Sequence, residues 1–387
     1  MASKRTCSYP PINPRMRLFQ QLRSGRRLAR HAFDRLVLSA VHGFVYATDG
    51  VSRAQRGTAR KERVLSRGKL GLYHVMPTEP FEFELGPHSL REERTLERTP
   101  IVLVPPLMVR PYIFDLRPDH SMVRTLRNAG YDLYIVDFGV PDDSDEGVRL
   151  DDYVLDYMPA CVDAAVSHSG SPGVTLAGYC MGGIFSLLHV ATHRDERVKN
   201  LVTIGAPIDF SEMGALSVAA KVGALFTDSV MDRLGNVPSD VINVGFKLIG
   251  GPKMLTRYVD LVTNLWDYEY LRSFDSINQW TSDFIPYPRE AFKQMVKDFA
   301  AGDKLRRGEL SFGGKQVDLG AIRAPLLAFA GRGDEVATLG STRAILSYVG
   351  SAQKELLEVP GGHIGVLAGS KAPTAVWQPM IDWLRGR

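Results

Sequence analysis

Val174-Thr175-Leu176-Ala177-Gly178-Tyr179-Cys180-Met181-Gly182-Gly183 is the stretch that decides how this chain is read. A short apolar run ends at a glycine, and a cysteine stands two residues further on. A glycine pair follows, and Ile184-Phe185-Ser186-Leu187-Leu188-His189-Val190 then continues with helical character. A strand that turns sharply into a helix presents the residue at the turn as a nucleophile, in a strained backbone conformation. Gly178 and Gly182 flank that turn, where a Cβ would block the approach of the two backbones. The following helix aims its positive end at the thiol and favours thiolate. Cys180 is therefore the expected nucleophile, and the backbone N–H of Met181 an expected oxyanion donor. A glycine-rich strand-to-helix turn also suits a phosphate loop, but the Lys-Ser/Thr pair such a loop requires is missing here.

Working outward, short apolar runs alternate with helical patterns from about residue 100, the signature of a mainly parallel sheet. Ile101-Val102-Leu103-Val104, Tyr131 to Val136, Lys199 to Gly205, Pro325 to Gly331 and Glu355 to Val359 read as further strands. Ser121 to Ala129, Asp152 to His168 and Thr374 to Leu384 read as helices. Residues 208–316 show helical patterns without a clear buried strand and carry Trp266, Tyr268, Tyr270, Trp280 and Tyr287. The expected architecture is an α/β-hydrolase fold with helices on both faces of the sheet. Its core comprises 65–207 and 317–387, with a helical cap over 208–316 and a basic N-terminal region over 1–64. An outer hairpin is expected over Lys69 to Leu85. Most of the cap aromatics are expected to pack the cap's own interior.

A thiol nucleophile needs a base, and the base needs an orienting acid. In this fold the chain order is nucleophile, acid, histidine. Asp334 follows the strand that ends at Gly331, and Glu335 beside it competes for the same role. His363 follows the next strand, and of nine histidines it alone comes after both the cysteine and the acid. A second oxyanion donor belongs to the loop after Ile101–Val104. Pro105 and Pro106 have no N–H, so Leu107 or Met108 is the earliest residue that can supply it.

Composition narrows the field. The 387 residues are 44% hydrophobic and 23% charged, with a net charge of +4. That balance is ordinary for a globular protein and too mild to argue for nucleic acid. Cys7, Cys161 and Cys180 are scattered without metal-like spacing, so no metal site is expected, and the odd, low count suggests a reducing compartment. Cys161 falls on an apolar helical stripe with Val154, Tyr157, Met158 and Ala165 and is expected in the core. Cys7 lies in a Pro-rich leader. No acidic residue precedes Asp34. The run Leu36 to Ala47 is too short for a membrane span and reads as a basic amphipathic helix. Arg26-Arg27 precedes it, but Asp34 and Arg35 interrupt the run and no export signal is expected.

Taken together, several segments resemble the polyhydroxyalkanoate synthases, which polymerise hydroxyacyl-CoA thioesters. They are Val104-Pro105-Pro106 with Arg110-Pro111-Tyr112-Ile113-Phe114-Asp115-Leu116, Tyr134 to Gly139 with Leu150-Asp151-Asp152-Tyr153, and the box Gly178-Tyr179-Cys180-Met181-Gly182-Gly183. Gly205 to Ser211, the Trp280 region, Leu310 with Gly313 to Leu319, and Gly361-Gly362-His363-Ile364-Gly365 complete the set. The likeness runs from about residue 65 to the end and is nearest to the short catalytic chain of two-subunit synthases. Glu335 stands where family members usually have histidine.

By this resemblance Cys180 is the acylated nucleophile, His363 the base and Asp334 the acid. The chain would use a coenzyme A thioester as substrate and no cofactor. The partners implied are a hydroxyacyl-CoA, the growing polyester chain or granule surface, a second copy as a homodimer, and a second synthase subunit. The location implied is the cytoplasm, at the surface of polyester granules. The same residues would serve a thioesterase or esterase if water were admitted, and a non-catalytic granule-binding relative would need none of them.

Overall fold

In a computed structural model of the chain, residues 33–44, 56–77, 99–249 and 259–387 are described. The readings made for Cys7, Arg26-Arg27 and the leader fall outside them. The described residues divide between two compact units, one drawn from 1–53 and 255–275 and the other from 54–254 and 276–387.

The second unit is built on an eight-stranded sheet. Its strands are β1 (Lys61–Arg67), β2 (Leu70–Val75), β3 (Ile101–Val104), β6 (Leu133–Asp137), β7 (Val174–Tyr179), β8 (Val198–Ile204), β11 (Leu326–Gly331) and β12 (Lys354–Val359), in the order β1-β2-β6-β3-β7-β8-β11-β12. Short strands β4 (Asp115–Arg117), β5 (His120–Ser121), β9 (Ser311–Phe312) and β10 (Lys315–Gln316) form two outlying pairs. From β6 to β12 every pairing is parallel, and only the β1–β2 hairpin and its junction with β6 are antiparallel. Strands covered on both faces read as unbroken apolar runs, and β3, β7 and β11 are buried along their whole length. A helix begins at Met122 with Ser121 as its cap, the side chain accepting from the Arg124 N–H at 3.0 Å. The helical stretch Leu150–Ser169 contains a π turn at Tyr153–Tyr157 and ends on left-handed Gly170. Cys161 is fully buried there, and burial alone pushes its thiol pKa up to about 12.

Two expectations are corrected. The hairpin is Lys61–Val75, not Lys69–Leu85, and turns at Gly68 with φ of 54°. The sheet therefore begins four residues before the expected core boundary at 65. An N-terminal helix is described over 33–44, and residues 45–47 of the expected 36–47 lie outside the described residues. The segment 208–316, expected as one cap, is divided, because 259–275 cluster with 33–44. Within that unit the Arg35 guanidinium lies 4.4 Å from the Trp266 ring centre, and His42 Nδ1 lies 3.0 Å from the Leu265 carbonyl oxygen.

In the second unit, helices Ala215–Ala224, Thr227–Leu234, Ser239–Ile249 and the continuous stretch Arg289–Ala301 lie between β8 and β11 in the chain. They are tied down by polar contacts. Gln294 accepts from the Leu150 N–H at 2.6 Å and donates to Asp151 at 2.7 Å, while Arg289 pairs with Glu146 at 2.7 Å. No helix of the described residues is long and apolar enough to cross a membrane.

Candidate active site

Cys180 sits at the junction of β7 and helix Met181–His193 with φ 52° and ψ −121°. This is the left-handed backbone that the elbow reading requires, and it strains any residue with a Cβ. The turn is held by the Cys180 N–H donating to the Ile204 carbonyl at 2.9 Å. Its tightness explains the flanking glycines. A Cβ on Gly182 would come 2.1 Å from the Val104 carbonyl oxygen, and one on Gly178 would come 2.4 Å from the Gly182 backbone.

Past the end of β11 the chain turns through Gly331 to Asp334, and past the end of β12 it reaches His363 at the start of a short helix. Parallel pairing of these strands brings the two side chains together: Asp334 Oδ2 lies 2.8 Å from His363 Nδ1. The other Asp334 oxygen accepts from the Val336 and Ala337 N–H groups at 2.9 and 2.8 Å. Its side chain is fully buried and that of His363 nearly so, whereas Glu335 is exposed. The structure thus joins Asp334, not Glu335, to the imidazole. With Nδ1 engaged, Nε2 is the nitrogen left to face Cys180. Burial opposes protonation of the imidazole, but the Cys180 and Asp334 charges and hydrogen bonds to both push its pKa up to about 10. Held at Nδ1 by Asp334, the imidazole stands where it can serve as base for the Cys180 thiol in a nucleophilic attack.

Leu107, Met108, Cys180 and Met181 share the wall of one cavity of about 440 Å³, roofed by the helices between β8 and β11 and lined almost wholly by apolar side chains. Met108 has a φ of 63°, and its carbonyl accepts from the Ile285 N–H at 3.0 Å, which ties this loop to the roof. Two of the quoted sequence segments meet beside it. Trp280 Nε1 donates to the Arg110 carbonyl at 3.1 Å, and the Tyr112 hydroxyl donates to Asp283 at 2.8 Å. Burial and the Asp283 hydrogen bond push the Tyr112 pKa up to about 12, so it remains a donor.

Two tyrosines have positions at the site that the sequence did not disclose. Tyr179 packs on His363 with ring centres 5.2 Å apart, and its hydroxyl donates to the His363 carbonyl at 3.0 Å. Tyr287, one of the cap aromatics, lines the cavity instead of packing the cap interior. It is held there by paired backbone bonds with Val237 at 2.9 and 3.0 Å. Its buried hydroxyl has no hydrogen-bond partner among the described residues. Burial, and then the nearby Cys180 charge, push its pKa upward, so the phenol keeps its proton. A buried polar atom without a partner is costly in a finished core, and the residue that carries it lines a cavity. Among the described residues, the one group of three His, Cys, Asp or Glu donor atoms close enough to share an ion (Glu62, His74, His168) is not in this cavity.

Comparison with known proteins agrees with the fold. The α/β hydrolase fold family matches residues 114–370. The chain is 33% identical over 339 residues to poly(3-hydroxyalkanoate) polymerase subunit PhaC of Haloferax mediterranei, covering 87% of this chain and 66% of that one. It is 33% identical over 333 residues to the protein of the same name from Allochromatium vinosum, covering 86% and 90%. The chain thus spans about two thirds of the first relative and nearly all of the second. Among solved structures it is similar to a hydrolase from Pseudomonas aeruginosa, with a TM-score of 0.48 and 15% identity over 85% of this chain and 98% of that one. On the sequence relatives and the matched fold, the chain belongs to the poly(3-hydroxyalkanoate) polymerase PhaC family, built on the α/β hydrolase fold.

Proposed function

We propose that this chain polymerises 3-hydroxyacyl units from their coenzyme A thioesters through an acyl group carried on Cys180. The observation that carries the reading is the constellation itself. A strained cysteine and an imidazole held by a buried carboxylate stand beside an apolar cavity, in a chain whose relatives are named as polymerases.

In the first half-reaction the Cys180 sulfur attacks the thioester carbonyl, with its proton on His363. The bond from carbonyl carbon to the CoA sulfur breaks, and CoA leaves as the thiol, taking the proton from His363 and returning it to the neutral imidazole. The tetrahedral oxyanion would be met by the Met181 N–H and by the N–H of Leu107 or Met108. One such donor typically contributes about 3–4 kcal/mol to the transition state. Thioester exchange is nearly balanced, so the acyl group stays activated. In the second half-reaction the hydroxyl of another unit attacks the acyl carbon and gives its proton to His363. The bond to Cys180 sulfur breaks and an oxoester forms. Asp334 holds Nδ1 so that Nε2 faces the reacting atoms. An apolar cavity keeps water from the acyl-enzyme, which would otherwise hydrolyse. The Tyr287 hydroxyl would bind an oxygen of the acyl unit.

No cofactor is required by these steps; the thioester itself is the activated substrate. The relatives are named as subunits, which supports assembly with a second synthase subunit, and a homodimer is part of the same reading. The growing polyester or the surface of a cytoplasmic granule would be the apolar partner. Exposed Val218, Val222, Leu225 and Phe226 offer it an apolar face.

The test is incubation with 3-hydroxybutyryl-CoA, following CoA release and assaying both polymer and free acid. Polymer with little free acid supports the proposal. Free hydroxy acid as the main product makes the protein a thioesterase, and no CoA release from either wild type or Cys180→Ala makes it a binding protein.

A further inference from the structure

At the far end of the sheet from Cys180, three metal-binding donor atoms converge: a carboxylate oxygen of Glu62 on β1, Nδ1 of His74 on β2, and Nε2 of His168 at the end of helix Met158–Ser169. Strand register fixes the placement. His74 pairs with Tyr134, Tyr134 with Val102, and Val102 with Leu176, and Cys180 lies further along β7 past its C-terminal end.

Glu62 Oε1 lies 3.2 Å from His74 Nδ1 and 3.6 Å from His168 Nε2, and the three donor atoms all lie within 4.8 Å of one another. Ligand atoms around tetrahedral zinc sit about 3.3 Å apart, given metal–nitrogen bonds near 2.0–2.1 Å. Glu62 and His168 are 50% and 37% exposed, so their side chains are free to close the remaining gap.

What lies behind the two imidazoles gives the cluster its chemistry. His74 Nε2 meets Asp132 Oδ1 at 2.7 Å, and the Tyr134 hydroxyl donates to Asp132 Oδ2 at 3.1 Å. The same hydroxyl oxygen lies 2.8 Å from His168 Nδ1. One proton arrangement satisfies the whole chain. His168 Nδ1–H donates to the tyrosine oxygen, the tyrosine O–H to Asp132, and His74 Nε2–H to Asp132. In this arrangement His74 Nδ1 and His168 Nε2 are the ring nitrogens turned toward Glu62. A carboxylate or hydroxyl behind each ligand histidine is the usual support of a metal site, fixing tautomer and ring orientation.

We propose that Glu62, His74 and His168 bind one divalent transition-metal ion of the zinc type, with water in the open position. The donor set of two imidazoles and one carboxylate suits Zn²⁺ and excludes Mg²⁺ and Ca²⁺, which take oxygen ligands. The ion would clip the antiparallel β1–β2 hairpin to the helix and to the base of β6. Its place at the opposite end of the sheet from the thiol assigns it to stability and not to acyl transfer. The spacing of the three ligands along the chain carries no local motif, because each comes from a different element.

The test is titration of tag-free, chelator-treated protein with Zn²⁺, read by calorimetry and by thermal melting, and with Co²⁺, read by its visible absorption. The expected result is one ion per chain, a melting temperature raised by several degrees, and the strong visible bands of four-coordinate cobalt. His168→Ala and Glu62→Gln, both at exposed positions, should each remove this binding while the far-UV circular dichroism and the rate of CoA release stay at wild-type values. Tyr134→Phe should weaken binding by about tenfold or more through the lost support. Absence of binding below about 0.1 mM Zn²⁺, a typical bound for a built site, overturns the proposal. So does binding that is unchanged in His168→Ala, which would place the ion elsewhere.

Discussion

Asp334 Oδ2 and His363 Nδ1 stand 2.8 Å apart, joining loops that follow two adjacent parallel strands. The contact leaves Nε2 to the thiol and commits the imidazole to one orientation. Asp334→Asn would present an amide that stabilises the wrong tautomer. The expected loss in the rate of CoA release is on the order of 10³–10⁴-fold with little change in fold. Steady-state and single-turnover rates beside a circular dichroism spectrum check this, and Glu335→Gln should stay within about threefold of wild type, as an exposed carboxylate with no part in the reaction does.

The pH dependence follows from the same pair. The folded-state pKa of His363 is raised from 6.5 to about 10. A raised pKa means that the folded protein holds the proton more tightly than the unfolded chain. The associated stability is therefore complete below about pH 6.5 and is lost as pH rises through about 10. Melting temperatures of wild type and His363→Gln should differ most near pH 6 and converge toward pH 10. A gap that widens with rising pH would contradict the charged-pair reading.

Gly182→Ala should fail for a steric reason, since the added Cβ would lie 2.1 Å from the Val104 carbonyl oxygen. Backbone must move to relieve it, and that movement displaces the Met181 N–H from the cavity wall. We expect a destabilisation of about 3 kcal/mol, seen as a lower denaturation midpoint, together with loss of CoA release.

Tyr287→Phe should separate stability from activity. The hydroxyl is buried without a partner among the described residues, so removing it relieves about 1–3 kcal/mol of desolvation cost in the free protein. The melting temperature should hold or rise. If the hydroxyl binds an oxygen of the acyl unit, kcat/KM for 3-hydroxybutyryl-CoA should fall about tenfold, while butyryl-CoA, which lacks that hydroxyl, should acylate the variant and wild type at closer rates. A fall in melting temperature without a change in this ratio would assign the tyrosine to packing.

Much of this fold was legible because its central strands are covered on both faces, so Ile101–Val104, Val174–Tyr179 and Leu326–Gly331 are plain apolar runs. The hairpin was misplaced for the opposite reason. Lys61-Glu62-Arg63-Val64-Leu65-Ser66-Arg67 is a mostly exposed edge strand and lacks a clean alternation. The division of 208–316 was hidden because it depends on packing between 33–44 and 259–275, which are remote in sequence. At the site, the elbow motif selected Cys180, and chain order selected His363 and the turn that holds Asp334 and Glu335, since each follows a strand of the parallel sheet. The acid remained open between Asp334 and Glu335 until burial and the imidazole contact separated them. Tyr287 could not be told from its aromatic neighbours, because its place on the cavity wall comes from backbone pairing with Val237, fifty residues earlier in the chain.

The central claim is that acyl transfer passes through the Cys180 sulfur, and mass spectrometry of the protein quenched in acid after mixing with 3-hydroxybutyryl-CoA tests it most directly. The account predicts a 3-hydroxybutyryl adduct on the peptide that contains Cys180, formed at the rate of the first CoA release and absent in Cys180→Ala, with Cys180→Ser slowed by about a hundredfold or more because serine is poorly ionised. CoA release at the wild-type rate from Cys180→Ala, or an adduct carried by Cys161 or another residue in its place, would contradict it.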